Sequence, residues 1–544
     1  MSRLGSVAEH LTKMAAERPE ALAIVCHDRR GSRERLTYRA LEEGARAVAR
    51  GLRGAGLERG ARAVLMVPPS LELFQLVFGF FHAGVVPVMV DPGMGTASLK
   101  TCLARAEPHA FVGVPRAHLA RRVLGWAPSA ATSVVVGGGA LAARALGGMP
   151  FADFLARGVA PTGATSPDDE AAILFTSGST GIPKGAVYRH RNFDAQVEAI
   201  RALYDIAPGE IDLPTFPLFA LFDPALGMTT VLPEMDYTRP ASVDPARLAA
   251  AVADFRPTNL FGSPALLDTV SRWAAPRGHV FASIRRVISA GAPVAPRILA
   301  RMVRCLPEGA RIHTPYGATE SLPVASIDHR EILGETGAKM GQGAGICVGR
   351  PVPSAEVLVM QVRDEAIAAW DPALAVPDGS VGEIAVAGPQ VTEAYFGQEE
   401  ETARHKLRKD GRLFHRTGDV GYRDEAGRLW YCGRKSQRVR TAAGDLYTER
   451  LEGPFNAHPK VKRSALVGVA RARMQVVVCI EPDDRTLGAR GRSALEAELT
   501  GLVPGVDHVL VAAHPFPVDI RHNAKIGREK LAVWADAELA RRGR

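Results

Sequence analysis

The sequence predicts an α/β protein of two unequal parts: a large N-terminal domain of layered sheets and helices over 1–433, and a small, mobile α+β domain over 434–544. Three observations predict it. Short apolar or β-branched runs alternate with longer helical patterns, which is the rhythm of a sheet flanked by helices. Several of those runs end in Gly-, Pro- or Ser-rich turns, as at Val67-Pro68-Pro69-Ser70 and Phe175 to Thr180. Near residue 433 the texture changes, and at 544 residues the chain is well beyond the about 250–300 at which one core stops growing.

The elements follow in order. Residues 1–20 pattern as an amphipathic helix with no basic stretch leading into an apolar core and cleavage site, so nothing there directs secretion. Strands are expected at Ala63 to Val67, Val85 to Val90, Ser133 to Val136, Ala171 to Phe175, Val287 to Ser289 and Arg311 to Thr314. Leu73 to Val90 is the most apolar stretch, but Gln75, His82, Gly84 and Pro87 interrupt it, which argues against a membrane span and for a protein that is not integral to the membrane. Gly137 to Gly148 reads as a loop and a short helix. The segment Gly421 to Lys435 reads as a hairpin running into a basic connector. Beyond it come strands at Arg463 to Val469 and Gln475 to Glu481, a helix near Ala494 to Leu502 and a final helix after Lys525.

Composition excludes several classes. Apolar residues make up 47% and charged residues 23%, which excludes a disordered chain. The net charge of +9 is spread over 67 Lys and Arg with no basic run, so it reads as a solvated surface and not as a nucleic-acid interface. Six scattered cysteines give neither a disulfide framework nor a zinc site, and a reducing cytoplasm is the expected location.

The strongest local signal is Thr176-Ser177-Gly178-Ser179-Thr180-Gly181-Ile182-Pro183-Lys184-Gly185, directly after a predicted strand. Glycines allow backbone N–H groups to turn toward an anion, hydroxyls add donors and Lys184 adds a point charge. The run lacks the GK[ST] ending of a Walker loop. It resembles the signature loop of the adenylate-forming superfamily, the acyl-CoA synthetases, luciferases and adenylation domains of peptide synthetases.

Further segments follow in that family's order. Ser289-Ala290-Gly291-Ala292-Pro293 resembles its adenine-packing turn, and Tyr316-Gly317-Ala318-Thr319-Glu320 resembles the segment whose aromatic lies by adenine and whose glutamate holds magnesium. Arg416-Thr417-Gly418-Asp419 resembles the segment whose aspartate grips the ribose, and Arg434 stands where the family has a ribose-binding arginine. Taken alone, Asp419 also suits a turn after Gly418, and Glu320 a helix start. Lys525, within Asp519 to Arg528, falls on the family's catalytic lysine. The resemblance implies ATP and Mg2+ as cofactors, with Lys525, Glu320 and Lys184 serving catalysis. It also implies a small domain that swings to bring Lys525 to the transferring phosphate.

Two departures narrow the choice. Ala220 occupies the position of a family histidine within Phe216 to Pro224, and Ser436 that of a hinge Asp or Lys. With Thr314 to Ser321, Gly345 to Pro351, Cys432 to Val439 and Pro517 to Ala535, they are similar to the β-lactone synthetases of bacterial long-chain olefin biosynthesis. That resemblance implies a long-chain 2-alkyl-3-hydroxyalkanoic acid as substrate, its adenylate closed by its own hydroxyl to a cis-β-lactone, and a possible complex with other olefin-pathway enzymes. A fatty acyl-CoA synthetase is the alternative. Phe216, Phe219 and Phe222 suit an acyl pocket, and Asp223, His190, His522 or the adenylate phosphate stand open as acceptors of the hydroxyl proton.

Overall fold

The computed structural model describes residues 5–27, 33–160, 165–176, 183–518 and 526–542. It has an α/β large part built on two sheets and a smaller C-terminal part built on a third, of three strands, beside a two-stranded one of Val439–Thr441 and Gly444–Leu446.

The first sheet has seven strands, in the order Met149–Pro150, Thr132–Val135, Ala110–Gly113, Arg62–Met66, Val86–Val90, Glu170–Thr176 and Lys184–Arg189. All neighbours are parallel except the last pair. Against it pack the helices Tyr38–Gly54 and Leu71–Ala83. Thr37 caps the first by accepting from the Ala40 N–H, and Ser70 caps the second through the Leu73 N–H. The two helices touch so closely that a Cβ on Gly79 would lie 2.5 Å from the Val48 side chain. Leu71–Ala83 is therefore apolar on nearly every side because it is enclosed by protein. No helix among the described residues is long and apolar enough to cross a membrane.

The second sheet joins two halves. Leu22–His27, Thr229–Leu232, Ile211–Pro214, Asn259–Phe261, Arg286–Ile288 and Arg311–Ala318 run parallel. From Arg311–Ala318 the pairing turns antiparallel through Ser321–Asp328, Ile346–Pro351, Leu429–Arg434, Arg412–Arg423, Gly382–Ala387 and Glu356–Met360. The hairpin expected at Gly421 to Lys435 is the pair Arg412–Arg423 and Leu429–Arg434.

The third sheet pairs Val461–Ala470 with Met474–Pro482 antiparallel, and the latter with His508–Val511 parallel. Its central strand explains the unbroken run Val476 to Ile480. Val476, Val478 and Ile480 meet Leu495 and Leu499 of helix Ala489–Leu499, whereas Val477 and Cys479 meet Leu531, Ala535 and Leu539 of helix Arg528–Arg542. A strand covered on both faces needs apolar residues at every position. The first of these helices starts five residues before the stretch where its pattern is clearest in the sequence.

Candidate active site

The predicted strands all form; most match within a residue, whereas the one expected at Arg311 to Thr314 continues to Ala318 and the one expected from Arg463 starts at Val461. Glu170–Thr176 is followed by the antiparallel strand Lys184–Arg189, with Thr176 and Lys184 as the last paired residues. The Gly/Ser segment therefore joins strand to strand, unlike the strand-to-helix path of a Walker loop. Ser177, Gly178, Ser179, Thr180 and Gly181, with Ile182, lie outside the described residues, as do Lys525 and His522.

Lys184 is buried, and its Nζ donates to Glu401 Oε2 and to His405 Nε2, each at 2.7 Å. His405 presents an acceptor there because its other nitrogen, Nδ1, donates to the Arg416 carbonyl at 3.1 Å, which fixes the tautomer. Burial and the neighbouring Lys184 ammonium push the His405 imidazole down to about 4, so the ring is neutral. The Lys184 ammonium also lies 5.5 Å above the Tyr395 ring. Neither Glu401 nor His405 was legible as a site residue, since the helix Glu399–His405 has the composition of a solvated one.

Glu320 stands at the tip of a hairpin. Ala318 pairs with Ser321, leaving Thr319 and Glu320 as the two-residue turn between Arg311–Ala318 and Ser321–Asp328, so Glu320 starts no helix. Gly317 is needed below the tip, where a Cβ would press to 2.8 Å from the Ser321 carbonyl. Two sides hold the tip: Tyr188 donates to the Thr319 carbonyl, and the Thr392 N–H donates to the Glu320 carbonyl at 2.9 Å. The Tyr395 hydroxyl donates to Glu320 Oε1 at 2.7 Å. One aromatic thus links the carboxylate of Glu320 to the cation of Lys184. Lys406 completes this wall, buried with its Nζ donating to the Thr392 carbonyl, and burial pulls its ammonium down to about 7.

Asp419 lies inside strand Arg412–Arg423, opposite Arg434 on the neighbouring strand, and not in a turn. Its Oδ2 accepts from the Tyr316 hydroxyl at 2.7 Å and its Oδ1 pairs with an Arg434 guanidinium nitrogen at 3.0 Å. Burial and the Asp419 carboxylate hold the Tyr316 phenol protonated. Beside them, strand Arg286–Ile288 runs into Ser289, and Gly291, at φ +93°, turns the chain toward Ala292 and Pro293 in a left-handed conformation that favours glycine. Segments far apart in sequence, around 316, 419 and 434, are brought together, and the Ser289 N–H donates to the His313 carbonyl of the strand that carries Tyr316. Lys435 donates to Glu383 Oε1 at 2.8 Å, and Glu383 pairs with Arg416 at 2.6 Å in a fully buried contact, which fixes the start of the connector.

A chain of rings runs away from the hairpin tip, starting at Tyr188. Tyr188 stacks on Phe193 at 4.6 Å, Phe193 meets Phe222, Phe222 meets Phe219, and Phe219 stacks on Phe261 at 3.9 Å. Phe216 also packs against Phe261. Ala220 is fully buried at the position of the family histidine. Asp223 and His190 prove to be core residues. Asp223 is enclosed with Asp212 and accepts from Thr230 at 2.9 Å, while His190 contacts Ser6 Oγ at 3.2 Å and packs edge-on against Phe81.

Residues 11–396 match the model of the AMP-binding enzyme family. The chain is similar to the olefin beta-lactone synthetase of Stenotrophomonas maltophilia (strain K279a), 50% identical with all of both chains covered. It is likewise similar to the olefin beta-lactone synthetase of Xanthomonas campestris pv. campestris, 48% identical over 98% of each. Its fold is similar to that of the anthranilate CoA ligase AuaEII solved with anthranoyl-AMP, with a TM-score of 0.79, 17% identity and 99% of each chain covered.

Proposed function

The chain belongs to the AMP-binding enzyme family, and from that premise we propose that it is an AMP-forming ligase that adenylates a long-chain 2-alkyl-3-hydroxyalkanoic acid and closes it to a cis-β-lactone. The observation that carries this reading is the identity of about half of all positions, along the whole chain, with two olefin beta-lactone synthetases.

In the first step a carboxylate oxygen bonds to the α-phosphorus of ATP and the bond to pyrophosphate breaks. In the second the 3-hydroxyl oxygen bonds to the activated carbonyl carbon and the carbon–oxygen bond to AMP breaks. Because the nucleophile belongs to the same molecule, positioning replaces a second substrate. With Asp223 and His190 enclosed in the core, we assign the hydroxyl proton to the departing AMP phosphate or to His522, three residues before Lys525.

The residues divide the work. Thr176 to Gly181 and Lys184 receive the phosphates, and Asp419 with Arg434 receives the ribose, whose two hydroxyls both donate to a carboxylate. Gly291, Ala292, Pro293 and Tyr316 to Thr319 flank adenine. Mg2+ suits Glu320, since this ion is held by one or two carboxylates together with phosphate oxygens and water. When bound it neutralises charge developing on the phosphates. Lys525 supplies a cation to the α-phosphate and acyl oxygens. We place the division between the parts at 433/434, with 434–544 swinging as a lid. Support comes from Arg528, three residues beyond Lys525, which bonds Glu452 Oε2 at 3.1 Å and the Leu466 carbonyl at 3.2 Å, both within the small part. The rings from Phe193 to Phe216 line the alkyl chains. The enzyme is assigned to the cytoplasm, in association with enzymes that consume the lactone.

The test is to incubate purified protein with ATP, Mg2+ and a synthetic 2-alkyl-3-hydroxy acid, with and without coenzyme A, and to identify products by NMR. β-Lactone and AMP without coenzyme A are expected. A thioester formed only when coenzyme A is present would replace this reading with an acyl-CoA synthetase.

A further inference from the structure

The edge of the seven-stranded sheet far from Lys184–Arg189 is built from residues 96–160, which hold seven Lys and Arg against only Glu107 and Asp153, a net +5 of the chain's +9. This one stretch carries more than half of the chain's net charge. Two helices, Pro115–Leu124 and Gly139–Ala145, lie side by side on this edge. Gly138 abuts Pro115, whose ring stands 2.6 Å from where a Cβ would be, and Arg122 donates to the Ala145 carbonyl at 3.3 Å.

The outer surface of the pair is apolar at its centre and basic around it. Leu119 is 57% exposed, Val123 75% and Leu141 84%, the three most exposed large aliphatics of this part of the chain. Arg116, Arg122 and Arg144 are exposed around them, and Lys100 reaches Gly125 at the end of the first helix, 3.5 Å from its Cβ position. The facing acid is Asp153, which pairs with Arg144 at 3.5 Å in a solvated contact. Arg121 differs: its guanidinium is spent inside the fold on Ser133 Oγ and the Ala130 carbonyl, each at 2.6 Å. The exposed cations make only solvated contacts, Arg122 to the Ala145 carbonyl of the second helix and Arg144 to Asp153 among them.

We propose that this face docks the protein on the surface of an anionic lipid bilayer. Aliphatic side chains flanked by arginines and lysine are the arrangement by which peripheral proteins bury a few apolar groups among headgroups while cations meet lipid phosphates. Exposed neighbouring aliphatics otherwise carry a solvation cost that a free surface avoids. The inference stands apart from the reaction assigned above. If that reaction is right, the face also places the enzyme where an acid with two long chains resides.

The experiment is flotation of the full-length protein with phosphatidylcholine vesicles and with vesicles also containing phosphatidylglycerol. Wild type is expected to float with the anionic vesicles alone, less at high salt. Arg116→Gln with Arg122→Gln should weaken binding roughly 30-fold, and Leu119→Ser with Val123→Ser roughly ten-fold. The four side chains are exposed and the bond lost with Arg122, to the Ala145 carbonyl, is a solvated one, so unfolding transitions should shift little and ATP-dependent turnover of a short-chain, water-soluble hydroxy acid should stay unchanged. Equal flotation of variants and wild type, equal binding to uncharged vesicles, or no vesicle binding, as for a face that receives another protein, would each overturn the proposal. None of these readouts depends on lactone formation.

Discussion

Replacing His405 by Phe tests the unforeseen part of the site. The ring fits the same space, edge-on to Tyr395 at 5.9 Å, but it can neither donate to the Arg416 carbonyl nor accept from Lys184. Lys184 would keep Glu401 as its one charged anchor while remaining buried. A hydrogen bond to a charged group contributes about 1.5–3 kcal/mol. If the two 2.7 Å contacts set the direction in which Lys184 meets the phosphates, kcat/KM for adenylation should fall about 10- to 100-fold. ATP–pyrophosphate exchange driven by the hydroxy acid reads that step without ring closure. The conservative pair makes the test specific. His405→Gln retains an acceptor near Nε2 and should recover most of the exchange, whereas His405→Asn keeps only the contact to Arg416 and should not. A folded His405→Phe within two-fold of wild type would refute the positioning role, as would recovery by Asn but not by Gln.

Three other outcomes follow from the same geometry. Asp419→Asn keeps the shape but leaves Arg434 without its charge partner and Tyr316 with a weaker acceptor; calorimetric titration should show ATP binding weakened about 100-fold with the fold retained. Lys525→Ala should abolish pyrophosphate exchange while ATP binding stays near wild type, and equal loss of both would count against its role. Stability should fall as pH drops from about 6.5 to 4: burial first of all holds the imidazoles of His190 and His405 down to about 4, below the ordinary ~6.5, so the unfolded chain takes up these protons before the folded one does. Each contributes on the order of 3 kcal/mol, and denaturant midpoints at the two pH values, with His190→Asn losing less than wild type, check the sign.

Much of this site was legible because it is local in sequence. A Gly/Ser run after an apolar strand and a glutamate four residues past a tyrosine are short-range patterns, and Phe216, Phe219 and Phe222, which join one run of rings with Phe193 and Phe261, stand in one segment. What sequence could not show was long-range pairing. Lys184 meets His405 across 221 positions, and nothing in Glu399–His405, an acidic and exposed-looking stretch, marks two of its residues as turned inward. Asp223 shows the same limit in reverse: its neighbour in sequence, Phe222, joins the run of rings, but its partners Asp212 and Thr230 come from separate strands of the core. The small part was the most predictable, since its central strand is apolar at every position and a two-faced sheet is the arrangement that requires it.

The most direct test of adenylation followed by internal closure is to follow oxygen. A 2-alkyl-3-hydroxy acid labelled with heavy oxygen in both carboxylate positions should transfer one label to AMP and keep the other in the lactone carbonyl, with the unlabelled hydroxyl oxygen in the ring. Unlabelled AMP and both labels in the lactone would mean that the hydroxyl, and not the carboxylate, is activated, and would contradict the account.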